Sequence, residues 1–283
     1  MVVPFLKRLH HVIVHGGVLL FWLGSAGMLA QTPEGLGTRE RMVSDPWTLF
    51  AKLRGASAED QSRAHEELFG SPLPKQLPAF EGRLLILQMD SDPQPEAVLI
   101  LDVLFARVAF VFDRDSAGWW KVGRFSNRVR SSFSALERMI EARLVTDSVN
   151  ELIVREFGRM TEGRSNTLQI YRLDRGLLHR VFETVEFREG PVAGSERDTV
   201  EIERTFLHFL EPGLFVAHRL AAQIPGHSAP DLPEEVLSGQ GQTTGCAAHE
   251  WSASSRKYVE APKRSKELCG RIRALRTRGA ASR

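Results

Sequence analysis

From Gly82 onward the chain changes from mixed to strongly apolar: LLILQMD and EAVLILDVLFARVAFVFDRD are rich in Val, Ile, Leu and Phe, and the runs are broken by Asp, Gly and Pro. Runs of this length bounded by turn residues predict strands. The turn Asp115-Ser-Ala-Gly118 followed by WWKVGRF predicts a hairpin. A second unit has the same pattern. Glu96 before AVLIL corresponds to Glu151 before LIVRE, and VAFVFDRDSAGWWKVGRF corresponds to TLQIYRLDRGLLHRVFE. A third hairpin is expected to turn at Pro212-Gly213, and a fourth, CAAHEWSASSRKYVE, near Ser254. The fold class expected is mainly β: antiparallel hairpin repeats in an open sheet or a partial, propeller-like arrangement.

Ahead of the strands the pattern is helical. Asp45 as N-cap and Pro46 at the first helical position open a segment carrying Trp47, Leu49, Phe50 and Leu53 that stops at Gly55. A second helix is expected from Ala58 to Phe69, ended by Gly70. Both are short and need a surface to pack on. The segment IPGHSAPDLPEEVLSGQGQTTG, rich in Pro and Gly, reads as a linker.

The first thirty residues have a basic start (Lys7, Arg8), an apolar middle and small residues at Ser25, Ala26, Gly27 and Ala30, the layout of a secretory signal. Retention as a membrane anchor is the competing reading. The division expected is therefore a signal over 1–30, a helical segment over 31–78, a β-hairpin body over 79–225, a linker over 226–245, and a disulfide-closed hairpin with a basic tail over 246–283. Export, to the periplasm or beyond, follows from the signal.

Charge adds an asymmetry. Arg256–Arg283 holds ten Lys plus Arg against Glu260 and Glu267, a balance of +8, whereas residues 31–255 carry −8. Such a tail is expected to be a solvated, partly disordered terminus, with binding to an anionic surface or to its own body as alternatives. It lacks interleaved aromatics, which with export argues against nucleic acid as a partner. An envelope polymer, a protein or an anionic surface remain as partners. The only cysteines, Cys246 and Cys269, are expected to form a disulfide in an exported chain.

The stretch QMDSDPQPEAVLI places acidic residues at alternate positions of a short loop ahead of a strand. It resembles the loop of FG-GAP or VCBS-type β repeats, over about residues 80–188. The resemblance implies a calcium site with Gln88, Asp90, Asp92 and Glu96 at the four side-chain ligand positions, since calcium takes six to eight oxygens. Gln88 replaces the first carboxylate and Pro93 stands where the family has Gly. In the second unit the matching positions are Arg143, Val145, Asp147 and Glu151, which cannot make that site. A structural acidic turn is the alternative for the first.

No catalytic constellation assembles. The histidines beyond the signal, His65, His179, His208, His218, His227 and His249, show no zinc-helix spacing. If Glu211 pairs with Leu214, His208 and His218 fall on opposite faces of their hairpin. There is no nucleophile elbow or phosphate loop, and the match Ser254 to Lys257 lies in a predicted turn. Trp119 and Trp120 point to opposite faces of their strand, so one is core and the other, with Trp251, is a candidate ligand-stacking surface. The reading is a non-enzymatic binding or scaffolding protein of the cell envelope or extracellular space. A secreted hydrolase with a fold-assembled acidic site, recognisable by carboxylates of raised pKa in a cleft, and a membrane-tethered structural protein are the alternatives.

Overall fold

A computed structural model describes residues 38–55, 57–73, 80–103, 106–126, 134–146, 148–160, 163–191, 199–225 and 242–281. Residues 1–30, expected to be a signal, and residues 226–241 of the expected linker lie outside them, as do Asp147 and His227.

Two helices come first. In α1, Pro46–Arg54, the Asp45 carboxylate accepts from Thr48 N–H and Thr48 Oγ1, both at 2.8 Å. In α2, Ala58–Phe69, Ser57 caps the start and Gly70, at φ 72°, closes the end by donating to Glu66 O at 2.8 Å. The bounds are those expected from the capping residues.

The strands form two antiparallel sheets. The first contains β1 (Glu40–Arg41), β2 (Glu81–Leu87), β3 (Glu96–Val103), β4 (Ala106–Asp115) and β5 (Gly118–Ser126), in the order β1-β5-β4-β3-β2. Strand β3, between β4 and β2, is buried on both sides, which is why its sequence is continuously apolar rather than alternating. Ala97, Leu99 and Leu101 face Leu49, Leu53, Ala64 and Leu68 of the helices. Val98 and Ile100 face the second sheet, against Met139, Leu152, Val154 and Tyr171. Burial of each large apolar side chain here contributes about 1.5–3 kcal/mol.

The second sheet runs in sequence order through β6 (Ser134–Ala142), β7 (Glu151–Met160), β8 (Gly163–Asp174), β9 (Leu177–Pro191), β10 (Thr199–Glu211), β11 (Leu214–Pro225), β12 (Gln242–Ser252) and β13 (Lys257–Glu260). The protein is mainly β with open sheets, as expected. Propeller blades do not form, because β9 continues its ladder directly into β10, pairing Pro191 with Val200 and Phe187 with Arg204. The repeat is nevertheless visible in the registers. Leu87 pairs with Glu96 and Ala142 with Glu151; Asp115 meets Gly118 and Asp174 meets Leu177, each across a two-residue loop.

Two expectations need correction. Glu211 does pair with Leu214, but a bulge between Phe209 and Glu211 shifts the register by one. His208 then opposes Val216 instead of Ala217, and His208 and His218 lie on the same face with ring centroids 6.1 Å apart. A one-residue slip inverts every side-chain direction beyond it. The C-terminal segment is also not a solvated coil: α3 spans Pro262–Ala281 and buries Cys269 beside Leu268 and Ile272 against Val216 and Ala248.

Cys246 of β12 and Cys269 of α3 are disulfide-bonded, with Cα atoms 6.0 Å apart. The bond therefore staples the helix to the sheet instead of closing the β12–β13 hairpin on itself. Ser265 Oγ, accepting from Ala248 N–H at 2.8 Å, and Arg264, paired with Glu211 at 3.0 Å, reinforce the same contact. The chain-entropy model for a loop of 23 residues gives about 3 kcal/mol. Cys246→Ala/Cys269→Ala should lower the free energy of unfolding by that amount in urea titration and leave the amides of α3 the first to exchange with deuterium. Unchanged stability and protection would mean that noncovalent packing alone holds the helix.

Candidate functional site

The acidic stretch forms the loop between β2 and β3, and its backbone is folded by its own carboxylates. Asp90 Oδ1 accepts from Asp92 N–H at 2.8 Å, and Asp92 Oδ1 accepts from Gln94 N–H at 2.7 Å. These Asx turns leave the second oxygen of each aspartate for another purpose. Glu96, the first residue of β3, is fully buried and accepts from Met89 N–H through Oε2. One carboxylate oxygen from each of Asp90, Asp92 and Glu96 lies within 4.8 Å of the others. The three residues predicted as ligands are thus brought together.

Gln88 is not placed as a ligand. Its Nε2 donates to the carbonyl oxygens of Asp90 (3.2 Å) and Asp92. An amide donor thus lies against oxygens of the kind that a bound cation would attract.

Three carboxylates in one place carry a large electrostatic cost. Burial raises the pKa of Glu96 to about 8, and the charges of Asp90 and Asp113 add to that, against the opposing Met89 N–H. Asp90 is also raised, by burial first and then by Asp92 and Asp174. Asp113 on β4 is raised by burial despite Arg39, whose guanidinium donates to Asp113 Oδ2 at 2.7 Å and Asp115 Oδ2 at 2.9 Å. No donor among the described residues reaches Glu96 Oε1 or Asp113 Oδ1, although both are buried.

The second unit supplies a built-in comparison. Glu151 is equally buried, and its Oε2 accepts from Leu144 N–H at 2.8 Å, seven residues before it, as Met89 stands seven before Glu96. The register Leu152–Tyr171 sets Glu151 level with Arg172, whose Nη1 donates to the remaining oxygen at 2.9 Å. In the first unit the register Ala97–Phe112 sets Glu96 level with Asp113. The same buried glutamate is therefore closed by a cation in one unit and faced by another carboxylate in the other.

No family model, curated protein or solved structure matches this chain. What the site can do rests on its own geometry. The loop opens into a cleft of about 530 Å³ bordered by Asp90, Asp92, Asp113, Asp115 and Asp174 and by Arg39, Arg172, Arg175 and Arg256. Carboxylates of raised pKa in a cleft are the mark expected of an acidic hydrolase, and Asp90 and Asp113 have it. Glu96, the most perturbed of the group, is fully buried and is not one of the residues that line the cleft.

The candidate stacking residues separate. Trp119 is buried between the first sheet and the helices, its ring 5.2 Å from that of Trp47. Trp120 packs on the inter-sheet core with the Arg39 guanidinium 4.6 Å from its ring centre. Neither is an open platform. Trp251 lines a second cavity beside the cleft.

Asp113 and Arg172 were missed in the sequence reading. The signal was present: both hairpins end in an Asp that opens a two-residue turn, Asp115 and Asp174, so counting back two residues from each aligns Asp113 with Arg172.

Proposed function

We propose that this chain is an exported, non-enzymatic binding or scaffolding protein of the cell envelope or extracellular space, whose first repeat holds one calcium ion on Asp90, Asp92 and Glu96. The observation that carries the reading is the buried, unpaired Oε1 of Glu96, at the position where the second repeat provides Arg172. A buried carboxylate needs a proton or a cation, and removing a partner from a buried charge typically costs about 3–5 kcal/mol. A divalent ion fits the donor set because hard oxygens are the ligands calcium takes. The disulfide supports an oxidising, exported setting, and no described helix is long and apolar enough to cross a membrane.

Calcium titration followed by calorimetry should give one site per chain, lost in Asp92→Ala. Gln88→Asp should tighten it by about tenfold, since affinity follows the charge count of the loop. The same substitution should destabilise the calcium-free protein, because a carboxylate would then face the carbonyls of Asp90 and Asp92. Absence of heat in the wild type, with Gln88→Asp equally silent, would leave the loop an acidic turn.

The hydrolase reading keeps one specific support, the raised pKa of Asp90 and Asp113 in one cleft. Against it, one oxygen of Asp113 is held by Arg39 and one of Asp90 by its own loop, so each carboxylate has a single oxygen left for chemistry.

A further inference from the structure

The cleft does not end at the acidic loop. Past Arg172, Asp174 and Arg256 it continues into a cavity of about 420 Å³ walled by His179, Lys257, Val181, Ala253 and Trp251. Among the described residues, five arginine and lysine side chains border the two cavities (Arg39, Arg172, Arg175, Arg256, Lys257), against five aspartates. Asp90, Asp92, Asp113 and Asp115 line the first cavity together with Arg39 and Arg175, whereas the second has Arg172, Arg256 and Lys257 against Asp174.

Backbone geometry marks the same place. Among the described residues only two that are not glycine adopt positive φ: Arg175 at 53° and Arg256 at 51°. Arg175 is the first residue of the two-residue turn joining β8 to β9, and Arg256 is the last before β13. A left-handed residue with a Cβ costs roughly 1–2 kcal/mol, which Gly or Asn at these positions would largely avoid. The chain places arginine at both, and both border the cleft. Strain of this kind gathers at ligand clamps. Arg256 is paired with Asp174, and Arg172 is fixed between Glu151 and the Trp251 ring, 5.1 Å from its centre, so these guanidinium groups are held in place before a ligand arrives.

We propose that the cleft binds an anionic glycan along its length, one carboxylate held by Arg256 and Lys257 with a sugar ring resting on Trp251, Val181 and Ala253, and a neighbouring carboxylate held by Arg175 in the adjoining cavity. A planar guanidinium matches a carboxylate in two-point geometry, and an aromatic ring face with small apolar neighbours suits the C–H face of a sugar. The inference extends the calcium reading, because a divalent ion at Asp90, Asp92 and Glu96 turns a cleft of balanced charge into a positive one. Binding should therefore strengthen when calcium is present.

The test is calorimetric titration of the full chain with trigalacturonate, with neutral maltotriose as control, in calcium and in chelator. Trigalacturonate should bind, about tenfold or more tighter with calcium, and maltotriose should not. Arg175→Asn and Arg256→Asn should each weaken binding by about tenfold. Asparagine tolerates left-handed φ, so the fold should stay intact and the melting temperature should hold or rise. Trigalacturonate that fails to bind, or that binds equally well to the Asn variants, overturns the glycan site. Inorganic phosphate saturating the protein as tightly as the trisaccharide would overturn it too, since the ring would then contribute nothing. Failure of the calcium reading shows separately, as no calcium heat and no calcium effect on melting, while arginine-dependent glycan binding in chelator would leave this proposal standing.

Discussion

Calcium at a thousandfold excess over its dissociation constant should stabilise the protein by about 4 kcal/mol, the gain expected for a ligand that binds only the folded chain. For a domain of this size that is a rise of roughly 8–16 °C in melting temperature. The effect should disappear in Asp90→Ala, because that substitution removes both a ligand oxygen and the acceptor that bends Asp92 N–H into the loop. It should also disappear in Glu96→Gln. The two variants differ in chelator. Asp90→Ala loses a turn-forming hydrogen bond and should melt below the wild type. Glu96→Gln keeps an oxygen for Met89 N–H and turns an amide donor toward the side where Asp90 and Asp113 carry charge, so it should melt above the wild type at neutral pH. Identical melting of the wild type in calcium and chelator would reduce the loop to a structural acidic turn.

The second large effect is on pH. Glu96 is raised from about 4.5 to about 8 on folding, so the folded chain binds a proton more tightly than the unfolded one. Stability from this group is complete below pH 4.5 and is lost as pH rises through 8. The loss approaches 1.4 kcal/mol per pH unit, on the order of 5 kcal/mol over the whole window. Urea unfolding in chelator between pH 4.5 and 9 should show this decline, and Glu96→Gln should remove most of it. Asp90 and Asp113, also raised, contribute a decline of the same sign that survives in the variant. Calcium should flatten the wild-type curve, since the ion replaces the proton, and its affinity should rise up to about pH 8. A wild-type curve in chelator as flat as that of Glu96→Gln would mean that Glu96 titrates as an ordinary carboxylate and is already satisfied.

These two measurements converge on one atom, Glu96 Oε1, and they separate its two solutions. A proton serves it up to about pH 8; on the calcium proposal a cation would replace that proton at neutral pH and above. The second repeat needs neither, because Arg172 is part of the chain. The first repeat has Asp113 at the level where the second has Arg172, so closure there would depend on a proton or a bound ion.

Much of this fold was legible in the chain. Asp45, Pro46, Ser57 and Gly70 act through hydrogen bonds within one turn of helix, so the helix bounds followed from local residues alone. The hairpins at Ser116-Ala117, Arg175-Gly176 and Pro212-Gly213 followed for the same reason, since turn residues act over four positions. Alternate aspartates ahead of a strand brought Asp90, Asp92 and Glu96 together because the loop is short enough to be set by its own sequence.

What the chain did not reveal depends on elements far apart or on a single residue of register. One bulge at Leu210 turned His208 onto the face of His218, and no local pattern announced it. The fate of the hairpins, two open sheets rather than blades, was decided by β9 pairing with β10 and by packing between sheets. Arg39, over seventy residues from Asp113, had to be carried there by β1 pairing with β5. The sequence determined which residues bend, cap and alternate, because those forces are local. Only the tertiary structure decided that Glu96 is buried opposite Asp113 and Glu151 opposite Arg172, because burial and cross-strand partners are properties of assembled strands.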